Sequence, residues 1–134
     1  MATEQVENGS KCRKEVLGEA YVGATLSRAD DFNGDFRDKV MEYCSDGTWG
    51  RGVLTKQQRS PLNLGMLAAL NRPQEFKLHF RGAVTNGVKL EELKEILNQI
   101  AVYCGIPAGI EAFRLAREVS ADLGIDVLNL DANP

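Results

Sequence analysis

His79 is the sole imidazole in the chain, and an imidazole is the side chain best suited to moving a proton near neutral pH. Glu75 stands four residues before it, so on a helix the two side chains share a face. A carboxylate there is placed to orient the ring and hold its tautomer. Apolar residues Phe76, Phe80 and Ala83 put His79 at the edge of a buried stripe, a setting in which acid–base groups are tuned. A structural histidine in a helix seam would show the same pattern. Arg51, Arg59, Arg72 and Arg81 are candidate anion clamps, because a guanidinium meets a carboxylate at two points where a lysine offers one. Spacing alone does not choose among them. Trp49, set between glycines, either lines a pocket or packs beneath its own loop. Tyr103 and Cys104 precede Gly105-Ile106-Pro107 at a helix end, where side chains face a cleft or, more commonly, fill a core.

The background against which these residues stand is ordinary. The chain has 134 residues, with 16 Lys and Arg against 19 Asp and Glu for a net charge of −3; 43% of residues are apolar and 26% charged. That composition and length predict one globular domain able to fold on a hydrophobic core. Mild acidity leaves no electrostatic footprint for nucleic acid or an anionic membrane. No apolar run is long enough to span a bilayer, and the start, MATEQVENGSK, lacks the basic-then-apolar order of a signal peptide. A cytoplasmic protein is expected. Cys12, Cys44 and Cys104 are odd in number and form no C-x-x-C. With one histidine besides, neither a disulfide framework nor a metal centre is expected.

The elements that must position these groups read as helices throughout. Ser10 is placed to cap a first helix that Gly18 loosens at its end. A second begins near Asp30 and Asp31 and carries Phe32, Phe36, Val40 and Tyr43 as one apolar stripe. Residues 45–54, with three glycines and no clean period, predict a loop. Thr55 and Gln58 have capping-box spacing ahead of a helix with Leu62, Met66, Leu67 and Leu70 on one face. Pro61 either starts that helix or kinks it. Pro73 opens the next helix, which Asn86-Gly87 ends. Residues 90–104 are the most clearly amphipathic stretch, and a last helix with Ile110, Phe113, Ala116 and Val119 follows Pro107. The tail, DVLNLDANP, is expected to be loosely held. The class is all-α. Leu64, Leu67 and Ala68 form a second apolar face beside Leu62, Met66 and Leu70, which favours covering by another subunit.

From Trp49 to Ala108, with flanks, the chain resembles the γ-carboxymuconolactone decarboxylase family. The matching stretches are WGRGVLTKQQRSPLNLGMLAALNR, LHFRGAVTNGV and EELKEILNQIAVYCGIPAGIEAF, with DFNGDFRDKV upstream. The resemblance covers about 110 residues, and the motif-bearing core runs over about 30–120 of a single domain. It implies an alkylhydroperoxidase D-like helical bundle, assembled as a trimer of dimers. It also implies an activity, the loss of carbon dioxide from γ-carboxymuconolactone to give 3-oxoadipate enol-lactone in the β-ketoadipate pathway of aromatic catabolism, with no cofactor. On that reading His79 and Glu75 are catalytic, Arg59 and Arg51 hold the carboxylates of a small-molecule substrate, and Trp49, Tyr103 and Cys104 shape the pocket.

The peroxidase branch of this superfamily carries a C-x-x-C four and seven residues before the matching histidine. Glu75 and Arg72 occupy those positions here, so disulfide-based peroxide reduction has no reagent. Ser45-Asp46-Gly47, Arg51-Gly52-Val53-Leu54 and Pro61 depart from the family's usual residues. Losing a bulky ring at Ser45 would widen the pocket, and the proline would shift Arg59. These departures keep open a decarboxylase, isomerase or cyclase of a larger aromatic or polyketide acid. A helical oligomer that binds without catalysis is the remaining alternative.

Overall fold

The computed structural model describes residues 3–128, and within them every regular element is helical. Residues 129–134, most of the predicted loose tail, lie outside the described residues. The chain divides into two compact units, Met1–Lys56 and Gln57–Pro134.

In the first unit, α1 spans Glu4–Leu17. Its cap is Thr3, whose hydroxyl accepts from the Val6 N–H at 3.2 Å, while Glu4 and Glu7 complement the positive end of the helix dipole. Ser10 therefore lies inside the helix and does not cap it. Gly18, at φ 96°, turns the chain into α2, Glu19–Ser27, a helix the apolar pattern did not announce. The Asp30 carboxylate then accepts from the backbone N–H groups of Phe32 and Asn33 at 2.9 and 3.0 Å, closing a turn ahead of α3, Gly34–Lys39. The predicted stripe of Phe32, Phe36 and Tyr43 points to solvent, with Phe32 100% exposed.

Residues 40–49 do not follow the α pattern. Val40–Trp49 is a π-helix, and the expected loop over 45–54 is confined to its last residues. The Gly50 N–H donates to the Ser45 carbonyl at 2.7 Å, five residues back, and the Thr48 hydroxyl donates to the Tyr43 carbonyl at 2.9 Å. Such widened turns are uncommon and often sit at functional sites. Here α1 packs closely on it, because Gly9 has no side chain: a Cβ there would lie 1.9 Å from the Met41 carbonyl oxygen. Around that contact Cys12, Val16, Leu17, Val22, Met41 and Trp49 are buried.

Among its described residues the second unit has four helices: α4 from Lys56, at the unit boundary, to Ala69, α5 Pro73–Thr85, α6 Leu90–Cys104 and α7 Ile106–Asp122. Pro61 sits inside α4, so the helix continues through it, and the N–H it lacks is the one that would have met the Gln57 carbonyl. Leu64 is the fully buried apolar residue of α4, with Ser60 buried as well; Leu62, Met66 and Leu70, from the face grouped by spacing, are exposed. Proline at the first position starts α5, and Phe76, Phe80 and Ala83 are buried as their spacing predicts, with the two rings stacked at 6.4 Å. Leu93, Leu97 and Ile100 of α6 and Ala112, Leu115, Ala116 and Val119 of α7 complete this core. Gly105, at φ 99°, makes the sharp α6–α7 corner.

Candidate active site

The stripe that buries Phe76 and Phe80 leaves His79 beside it on α5, half-buried, at the edge of the core as expected. Its Nδ1 faces α4, where the side-chain amide nitrogen of Asn63 lies 3.4 Å away. Asn63 is itself half-buried. Arg59 precedes Asn63 by one helical turn on the same face of α4 and is also half-buried. A guanidinium, an amide and an imidazole are thus carried by two neighbouring helices of one unit. Glu75, the residue expected to orient the ring, is exposed, and the group set against Nδ1 is the amide of Asn63.

The arrangement suits an anionic substrate. Arg59 can hold a carboxylate at two points. The imidazole can donate a hydrogen bond to an oxygen on which charge develops, or hand a proton to carbon. Asn63 escaped the sequence reading. Its signals were the four-residue spacing from Arg59 and its place as a lone amide in the apolar run PLNLGML.

The remaining candidates have separate settings. Trp49 and Arg51 belong to the first unit: Trp49 is buried at the end of the π-helix, and Arg51 is exposed, its N–H bonded to the Thr48 carbonyl at 3.1 Å. Tyr103, at 83% exposure, and half-buried Cys104 border a cleft of about 410 Å³ walled by Pro61, Leu62, Met66 and Ile96. Cys104 also touches a second cavity, of about 390 Å³, that Arg72 and Glu111 line. Arg81 pairs with Asp122 at 3.7 Å, tying α5 to α7. Cys12, Cys44 and Cys104 are all free thiols, and burial pushes the Cys12 thiol up from its ordinary value. Among the described residues, no group of three His, Cys, Asp or Glu side chains is gathered to hold a metal ion, and no helix is long and apolar enough to cross a membrane.

Two known proteins resemble this chain over most of its length, and a third over part of it. A 4-carboxymuconolactone decarboxylase from Acinetobacter baylyi is 37% identical over 122 residues, which is 91% of this chain and 91% of the relative. A nitrosuccinic acid decarboxylase from Metarhizium robertsii is 37% identical over 117 residues, 87% of this chain and 82% of the relative. A 4-carboxymuconolactone decarboxylase sequence from Pseudomonas putida matches at 34% over 44 residues, 32% of this chain and 92% of the relative. The pattern of the Carboxymuconolactone decarboxylase family covers residues 34–118, which include Arg59, Asn63, Glu75 and His79. With the family pattern matched across well over half its residues and a curated relative matched almost from end to end, the chain belongs to the carboxymuconolactone decarboxylase family.

Proposed function

We propose that this protein is a cofactor-independent carboxy-lyase acting on γ-carboxymuconolactone, or on a closely related unsaturated lactone acid, in the cytoplasm. The observation that carries the reading is the similarity to a 4-carboxymuconolactone decarboxylase along 91% of both chains. The chemistry needs little beyond the groups at hand. In that substrate the departing carboxylate sits on a carbon conjugated through C=C to the lactone carbonyl. As the C–C bond breaks, its electron pair flows to the carbonyl oxygen, carbon dioxide leaves, and a dienolate remains. One proton delivered to carbon completes 3-oxoadipate enol-lactone. In this scheme Arg59 holds a carboxylate and His79 stabilises the oxyanion or delivers the proton. Tyr103 and Cys104 shape the walls. The product's place is then the β-ketoadipate pathway of aromatic breakdown.

A second reading has its own support, since a nitrosuccinic acid decarboxylase is also 37% identical. A nitro group on the carbon that loses its carboxylate takes up the electron pair as a carbonyl does. The two substrates therefore ask the same of a site: an anion clamp, a donor at the developing oxyanion, and a proton. Assay of both acids separates the readings. Carbon dioxide release from γ-carboxymuconolactone that falls by about 10²-fold or more in His79→Ala is the expected result. An undiminished rate in that variant would remove His79 from the chemistry. No release from either acid by the folded protein would reject both substrates and direct the search to larger aromatic or polyketide acids.

We further propose the alkylhydroperoxidase D-like fold, with both units in one domain, assembled as a trimer of dimers. The family pattern runs across the Lys56–Gln57 boundary, which supports the single domain. The exposed Leu62, Met66 and Leu70 of α4 and Ile106 and Ile110 of α7 supply apolar surface for subunit contacts. A monomeric mass by light scattering at micromolar concentration would rule the assembly out.

A further inference from the structure

We infer that Asn63 is a positioning residue that holds His79 as the neutral Nε2–H tautomer, so that the ring acts as a hydrogen-bond donor to the developing oxyanion rather than as a base. The inference rests on the decarboxylase reading for its catalytic meaning and on the α4–α5 geometry for its substance. The amide nitrogen of Asn63 stands 3.4 Å from His79 Nδ1. An amide nitrogen only donates, so the ring nitrogen facing it accepts and carries no proton. The proton of the neutral imidazole is then on Nε2. A protonated ring would set donor against donor across the same contact.

The alternative orienting group leads to the opposite chemistry. A carboxylate such as Glu75, set against Nδ1, would accept a proton there and leave Nε2 as a lone-pair base. Glu75 is exposed, whereas Asn63 and His79 are half-buried where they meet. A decarboxylation needs no base: the electron pair is released by departing carbon dioxide, and what must be met is negative charge growing on oxygen. A neutral donor already aligned in the ground state does this without reorganising during the reaction. Arg59, one turn from Asn63 on the same helix face, adds the positive charge on that side.

The sole histidine makes this directly measurable. In uniformly ¹⁵N-labelled full-length protein without substrate, a two-bond ¹H–¹⁵N correlation spectrum at mildly alkaline pH reads both ring nitrogens with no overlap. The expected spectrum shows bare Nδ1 and protonated Nε2. Asn63→Asp replaces the donor by an acceptor of the same shape, and Nδ1 is expected to gain a proton. In the same variant kcat is expected to fall by about 10- to 100-fold with KM changed much less, because the aligned donor is lost while the anion clamp stays. Protonated Nδ1 in the wild type would overturn the inference. So would a ring signature that is the same in wild type and Asn63→Asp. Because the spectrum needs no turnover, the outcomes separate. Absent carbon dioxide release with the tautomer as expected sinks the proposed reaction alone, and active enzyme with the opposite tautomer sinks the role of Asn63 alone.

Discussion

The two units are both helical, yet they are held together by different means. The second buries Leu64, Phe76, Phe80, Leu93 and Val119 completely, and its helices meet through side chains arriving at helical spacing. The first has a smaller core of Cys12, Val16, Leu17, Val22, Met41 and Trp49. Its main packing contact is a close backbone approach, α1 against the π-helix, that only glycine at position 9 permits. One unit depends on filling volume and the other on leaving a gap open. The comparison teaches that equal helix content conceals unequal tolerance: the second unit should suffer most from lost bulk, the first from added bulk.

The largest expected effect is in the second unit. Phe80→Ala removes a fully buried ring stacked on Phe76 and should cost about 3–5 kcal/mol, read as a lower urea midpoint by far-UV circular dichroism. A loss below about 1 kcal/mol would mean that this core is loosely packed and the comparison false.

In the first unit, Gly9→Ala adds one methyl that would stand 1.9 Å from the Met41 carbonyl oxygen. Neither helix backbone can yield without moving the other, so a cost of about 2–3 kcal/mol is expected for a change that elsewhere in a helix interior would stabilise. Trp49, the only tryptophan, reports this unit by fluorescence. A stabilised Gly9→Ala protein would break the comparison from the other side.

The smallest effect sharpens it. Burial raises the Cys12 thiol above its ordinary value of 9.0, with Lys56 opposing through its positive charge. A thiol that is harder to ionise when folded contributes fully below the unfolded value and loses that contribution as pH rises through the folded one. Stability followed by Trp49 fluorescence should therefore decline slightly more steeply above pH about 9 in wild type than in Cys12→Ala, by less than about 1 kcal/mol. Identical slopes would mean that Cys12 is open to solvent and the first core is not sealed.

These differences also govern what could be read in advance. The 73–104 stretch was legible because proline and glycine mark its ends and its apolar residues recur at helical spacing with one face to bury. His79 at the edge of that stripe followed from the same spacing. The first unit is less legible. Thr3, rather than Ser10, caps α1, and the SDGTW segment completes a π-helix where glycines signalled a loop. A widened turn has no apolar period of its own; it persists because α1 lies against it, and that contact joins residues more than thirty positions apart.

What the chain determined by itself was its class, its helix-stopping residues, its lone imidazole and, through matching motifs, its family. Those depend on residue type and near-neighbour spacing. Only the tertiary structure decided which apolar face of α4 goes inward, with Leu64 buried and Leu62, Met66 and Leu70 outside. Only it set the Asn63 amide, sixteen positions away in sequence, against the His79 ring. A helix with two apolar faces, or an imidazole with two nitrogens, carries both choices in its sequence, and the partner that arrives from another element selects between them.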